Sequence, residues 1–240
     1  MKTVFHPAAS RGLANHGWLR SNHTFSFANY YNPERMRFGT LRVLNDDYVA
    51  PGRGFGKHPH DNMEIISIPL SGDLKHEDSM GNTTIIREGD VQAMTAGTGV
   101  AHSEMNASAD KPVEFLQIWV FPRSRNVAPS YSQITLEEGA LDNQLDQIVS
   151  PDAKGPGVTV NQDTWFHLGN LNTGSAHHYD LKKEGNGVYA FLLEGAATVA
   201  GKPLTKRDGL GVWETGGFDI SVSKNAKLLL MEVPMEIDKN

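Results

Sequence analysis

The chain has 240 residues, 39% hydrophobic and 21% charged, a balance that supports a buried core and excludes a disordered chain. Its formal charge of -6, with no Lys/Arg cluster, argues against a nucleic-acid partner, and no apolar run reaches the ~18 residues of a membrane helix. Without cysteine it has no disulfide, thiolate metal site or cysteine nucleophile, and residues 1–18 lack an apolar signal core, so a cytoplasmic address is expected.

Glycines and prolines interrupt the sequence every several residues, and short stretches rich in Val, Ile, Phe, Tyr and Trp lie between them, which is the punctuation of an all-β protein. Strands are predicted at residues 40–43, 64–70, 83–86, 91–94 and 113–121, then at 188–193, 197–199 and 227–233. The apolar runs 115–121 and 188–193 are assigned to core packing. The best helical candidate starts at Thr135, where Thr135, Leu136, Glu137 and Glu138 have capping-box spacing, although Gly139 weakens the first turn. Residues 145–149, 150–157 and 158–160 read as strand, long turn and strand, and are expected to open a second domain. An internal echo supports two similar halves. Residues 68–74 resemble 192–198 in pattern, and Gly89-Asp90-Val91 resembles Asp208-Gly209-Leu210 with its preceding Arg207.

Candidate chemistry centres on two short motifs. His58-Pro59-His60 follows a glycine-rich turn, and on a strand both imidazoles share one face. Pro59 has no N–H and suits a strand start or edge. His102-Ser103-Glu104 repeats the alternation after Gly97 and Gly99, so two strands together offer three nitrogens and one oxygen. Glu64 competes as the carboxylate, because its strand parity also allows it to face inward. His177 and His178 are adjacent, so on a strand they face opposite sides, and no metal is expected in the second half. His6, His16, His23, His76 and His167 read as hydrogen-bonding or surface groups, with His76 a neighbour of the ligands.

These motifs, with Leu70-Ser71-Gly72, residues 76–82, residues 89–99, residues 24–28, residues 41–47 and residues 115–119, resemble the signature of the pirin family. The resemblance is dense over residues 18–122. It implies a bicupin, two packed jelly-roll β-barrels: a metal-binding N-terminal domain at residues 1–132 and a degenerate, metal-free C-terminal domain at residues 133–240. It also implies that His58, His60, His102 and Glu104 hold one metal ion, and it places the carboxylate at Glu104 rather than Glu64. The second motif has glycine where the general cupin pattern has proline, a departure that is itself pirin-like.

A nitrogen-rich, sulfur-free donor set suits iron, manganese, cobalt, nickel, copper or zinc, and the resemblance makes iron the first expectation. Some bacterial relatives in that family cleave the flavonol quercetin with O2, which implies a flavonol and O2 as substrates, with Glu104 as ligand and catalytic base. Two other functions stay open: a regulatory protein whose metal state governs docking of a protein partner, and a non-redox isomerase or hydrolase. A monomer is expected.

Overall fold

The computed structural model describes residues 1–237. Its regular structure is twenty strands and one 3-10 turn at Ala8–Ser10, with no α-helix among the described residues and therefore no helix long and apolar enough to cross a membrane. The strands of the first half are β1 (Lys2–His6), β2 (Gly12–Asn15), β3 (Leu19–His23), β4 (Leu41–Val49), β5 (Gly54–His60), β6 (Glu64–Ser71), β7 (Leu74–Asp78), β8 (Thr83–Ile86), β9 (Asp90–Thr95), β10 (Val100–Asn106), β11 (Val113–Val120) and β12 (Ser130–Thr135). Those of the second are β13 (Asp146–Ser150), β14 (Val158–Thr159), β15 (Trp165–Leu171), β16 (Ala176–Asp180), β17 (Asn186–Val199), β18 (Lys202–Thr205), β19 (Gly209–Trp213) and β20 (Gly217–Pro234).

The helix expected at Thr135 does not form. Thr135 ends β12 opposite Asp90, and Gly139 adopts φ +79 in the turn that follows, a left-handed value that stops helical propagation. The anticipated strand, turn and strand over 145–160 are present as β13 and β14, which pair in parallel.

The first half is a seven-stranded sheet, ordered β12-β9-β6-β11-β4-β3-β2, with a four-stranded sheet, β5-β10-β7-β8. The second half is one continuous nine-stranded sheet along β1-β19-β17-β20-β15-β13-β14, with β16 and β18 attached to β20 and β17. The long strands β17 and β20 bend through irregularities between Leu192 and Ala197, and bulges of this kind let a sheet curl back on itself. The protein is thus all-β and has the bicupin form. One pairing crosses the halves, that of β1 with β19 in the second sheet, whereas β12 stays with β9 in the first through Thr135.

The largest core lies between the halves. Phe25, Leu44, Ile66, Ile68 and Leu116 pack there against Phe166, Tyr189, Phe191, Leu229 and Met231. Alternation along β17 sends Tyr189, Phe191 and Leu193 into this core and Val188, Ala190 and Leu192 into the second barrel. The run 188–193 is therefore apolar on both faces, as its sequence required. Sixteen buried apolar residues fill the second barrel, whereas the main interior cluster of the first has six. The first barrel is the one with room for a site.

The internal echo corresponds to a repeated turn. Gly89 (φ +90) precedes Asp90, and Arg207 (φ +68) precedes Asp208. In both, the aspartate carboxylate accepts the N–H three residues back, from Arg87 and from Thr205, each at 2.8 Å.

Candidate metal centre

β5 carries His58 and His60, and β10 carries His102 and Glu104. Each pair has the two-residue spacing that puts both side chains on one face. The strands are launched by turns in which Gly52 (φ +63), Gly97 (φ +48) and Gly99 (φ +138) occupy left-handed backbone, conformations that a side chain would strain. β5 is the edge strand of its sheet, where Pro59 sacrifices no ladder bond that a neighbour needs.

Antiparallel pairing sets His102 directly opposite His58, and their Nε2 atoms are 3.0 Å apart. The rings of His58, His60 and His102 lie 4.5 to 4.8 Å from one another, and their ligand atoms fall within 4.8 Å. Glu104 belongs to a second, overlapping group with His76 and His102, again within 4.8 Å. The four residues named from the sequence therefore adjoin through His102, with His76 beside them.

The donor atoms fit a divalent ion. His58 Nδ1 is 2.8 Å from the Gly56 carbonyl, which can only accept, so Nδ1 carries the proton and the Nε2 lone pair is free. Nitrogens 3.0 Å apart have the spacing of neighbouring ligands on an ion with bonds of about 2.0–2.1 Å. Burial first, and then the adjacent imidazoles, lower His60 to about 4 and His102 to about 3, so both rings are neutral donors near pH 7. Glu104 is 2% exposed and burial pushes its carboxyl up. Its hydrogen bonds come from neutral groups: Ser67 Oγ donates to Oε1 at 3.1 Å and Gln117 Nε2 to Oε2 at 2.6 Å. A buried carboxylate without a cationic side chain is stabilised by a cation placed against it. Three imidazoles and a carboxylate without sulfur suit a first-row transition metal.

Glu64 is placed elsewhere. Ser67 on β6 faces Glu104, so Glu64, three positions away, points to the opposite face. There its Oε2 accepts the Thr95 hydroxyl at 2.6 Å and the Asn161 N–H of the second half at 2.9 Å. The inward parity expected for Glu64 is corrected by this register.

His76 is fully buried, sits opposite Glu104 on the neighbouring strand and contacts Asp78 Oδ2 through Nε2 at 3.1 Å. The run 115–121 is not purely packing. Phe115, Leu116 and Ile118 are buried in cores, but Gln117 and Trp119 line the cavity. The sequence signal for Gln117 was a lone polar residue in an apolar strand. In the second half His178 Nδ1 meets Asp219 at 2.6 Å, His177 Nε2 meets Ser175 at 3.0 Å and His167 Nδ1 meets Tyr179 at 3.2 Å.

A cavity of about 260 Å³ opens onto His58, His60 and Glu104. Phe27, Phe55 and Trp119 form its aromatic wall, while Ser21, His23, Asn45, Asp47 and Gln117 form a polar one. Burial pushes Asp47 up to about 7, against the Ser21 hydroxyl, which favours the ionised form; the negative Glu104 and Asp46 push it up further. A wider cleft of about 1180 Å³ lies at Arg123, Asp163, Lys183 and Trp213. No histidine lines it, and Asp163 is occupied by Arg123 and Lys183, so the chemistry belongs to the smaller cavity.

Known proteins match nearly the whole length of this chain. The family model described as Pirin covers residues 5–120, and the one described as Quercetinase C-terminal cupin domain covers residues 147–233. A quercetin 2,3-dioxygenase of Escherichia coli K12 is 39% identical over 227 residues, 95% of this chain and 96% of that protein. A pirin-like protein of Caulobacter vibrioides is 36% identical over 238 residues, 94% of this chain and 97% of that protein. The crystal structure of the bacterial pirin YhhW from Escherichia coli in complex with nickel(II) superposes with a TM-score of 0.92 at 36% identity, over 98% of this chain and all of that one. With the signature residues on the strands that build the candidate metal centre and relatives aligned over nearly the whole chain, the chain belongs to the pirin family.

Proposed function

We propose that this protein is a metal-dependent dioxygenase that opens a flavonol such as quercetin with O2 and releases carbon monoxide. The observation that carries the reading is a cluster of three imidazoles and a buried carboxylate, of which His58, His60 and Glu104 face an aromatic-lined cavity. The naming of relatives as quercetin 2,3-dioxygenases supports it. We assign the metal to the domain of residues 1–132 and none to that of residues 133–240. His58, His60, His102 and Glu104 are its ligands in this reading, and iron is the expected ion. Bound there, such an ion supplies Lewis acidity toward an enol oxygen and a redox partner for O2.

The chain's own residues do the remainder. His58 is locked in the tautomer that presents Nε2 by the Gly56 carbonyl, which removes a rotational degree of freedom from the site. Glu104 is the base in this reading: burial raises its affinity for a proton, and Gln117 and Ser67 keep its carboxylate aimed while it takes one from a 3-hydroxyl. Phe27 and Trp119, edge to face at 5.3 Å, border the space for a flat ring and keep water from it.

The test is oxygen uptake with quercetin by protein stripped with a chelator and then reloaded with iron. Turnover is expected only in the reloaded sample and only in the presence of O2. Undiminished quercetin turnover under anaerobic conditions sinks the dioxygenase reading.

A further inference from the structure

The inner face of the seven-stranded sheet is polar where a barrel interior is ordinarily apolar. In register, His23 on β3 lies opposite Asn45 on β4. Asn45 lies opposite Gln117 on β11, Gln117 opposite Ser67 on β6, and Ser67 opposite Gln92 on β9. One step along, Ser21 lies opposite Asp47. All of these side chains are buried.

The row divides into two parts by what its atoms touch. Ser67 and Gln117 are consumed in holding Glu104. At the other end, Asn45 Oδ1, Asp47 Oδ1 and His23 Nδ1 have no hydrogen-bond partner, and neither has Trp119 Nε1 across the space. Asn45 and Asp47 are 3% and 5% exposed. A buried polar atom left unpaired retains its full desolvation cost, and apolar residues at these positions would avoid it. Four such residues around one cavity, the same one that reaches His58, His60 and Glu104, indicate a ligand whose polar groups complete the pairing.

We infer that Asn45 and Asp47 are specificity-determining residues that hydrogen-bond the hydroxylated ring of a planar phenolic substrate whose other end reaches the histidines. The inference rests on the flavonol reading above and adds the end of the molecule that the metal does not touch. The ring lies against the contacting pair Phe27 and Trp119, and its hydroxyls donate to Asn45 Oδ1 and Asp47 Oδ1. The sheet register fixes these two acceptors two residues apart on one strand.

The experiment is anaerobic binding to the metal-loaded protein, followed by tryptophan fluorescence. The probes are quercetin and the flavonol lacking the pendant-ring hydroxyls. Wild type is expected to prefer quercetin by about tenfold or more, the scale of one well-made buried hydrogen bond. Asp47→Leu and Asn45→Leu each collapse that preference, Asp47→Asn keeps most of it, and metal content stays at the wild-type level. The Asp47→Leu variant also melts higher than wild type, because a buried carboxyl with one oxygen unpaired has been removed. A purely structural role predicts a lower melting temperature instead. If wild type binds quercetin and both leucine variants keep the full preference, the inference is overturned while the flavonol reading stands. If wild type binds neither flavonol, both fall together.

Discussion

Replacing Gln117 by leucine removes the donor 2.6 Å from Glu104 Oε2 without touching any of the four proposed metal ligands. The expected result is roughly 10- to 100-fold weaker metal binding, read by competition with a chromogenic chelator. The two buried glutamates separate cleanly by the same assay. Glu104→Gln abolishes tight binding, whereas Glu64→Ala leaves it intact. Glu64→Ala instead lowers stability by about 1–3 kcal/mol in urea unfolding, because the Asn161 N–H loses its acceptor. At this scale the sequence disclosed what strand parity can disclose. His58 with His60, and His102 with Glu104, share faces within their own strands. Gln117, Ser67, Asn45 and Asp47 were not legible, because their meaning arises from register between strands far apart in the chain. The mistaken parity of Glu64 has the same origin, since only Ser67 shows which face of β6 is the inner one.

Among the elements, short strands bounded by glycine were readable because Gly72, Gly89 and Gly97 sit at turns with positive φ. The same signal misleads inside the second half. Residues 188–193 and 197–199, read as separate strands, are one strand, β17, and Gly195 (φ +85) marks a bulge in it rather than a break. The Thr135 capping box failed because its hydroxyl donates to Asp90 Oδ1 at 2.6 Å, a partner on another strand. The repeated aspartate turns allow a direct comparison. Asp90→Ala is expected to cost about 1–2 kcal/mol in chemical unfolding, the value of a lost side-chain cap. Asp208→Ala should cost a similar amount, because each aspartate accepts two further hydrogen bonds, Asp90 from Gln133 and the Thr135 hydroxyl and Asp208 from the Thr205 hydroxyl and the Ala8 N–H, the last tying the N-terminal segment to the second half.

For the molecule as a whole, charge and burial set the pH range of stability. Burial, assisted by Arg35 for His6 and by Lys182 for His167, lowers both histidines to about 4 from 6.5. The unfolded chain regains the ordinary value, so between pH 6.5 and 4 it binds protons that the folded state refuses. Stability is accordingly full above pH 6.5, declines as pH falls through that window and levels off below it, by on the order of 1–3 kcal/mol for each histidine. Asp47, raised to about 7, acts in the opposite sense and withdraws stability as pH rises toward 7. Melting temperatures from pH 8 to pH 4 should show the acid decline, and His167→Gln should flatten it. The two-barrel plan was legible from the internal echo and from the resemblance to the pirin family. The seam was not, because Arg11 and Arg207 meet Asp46 at 3.0 and 3.1 Å across a distance in sequence that no local pattern spans.

The pairing of β1 with β19 reaches across about 200 residues, and this has a bearing on how a nascent chain matures. At roughly 5–20 residues per second, Lys2–His6 waits some 10–40 s after emerging from the ribosome before its partner is synthesised. Until then β1 lacks the strand it pairs with, and the last sheet to assemble depends on it. A protein deprived of that segment would present β19 as an open border, inviting association with other molecules in place of the missing strand.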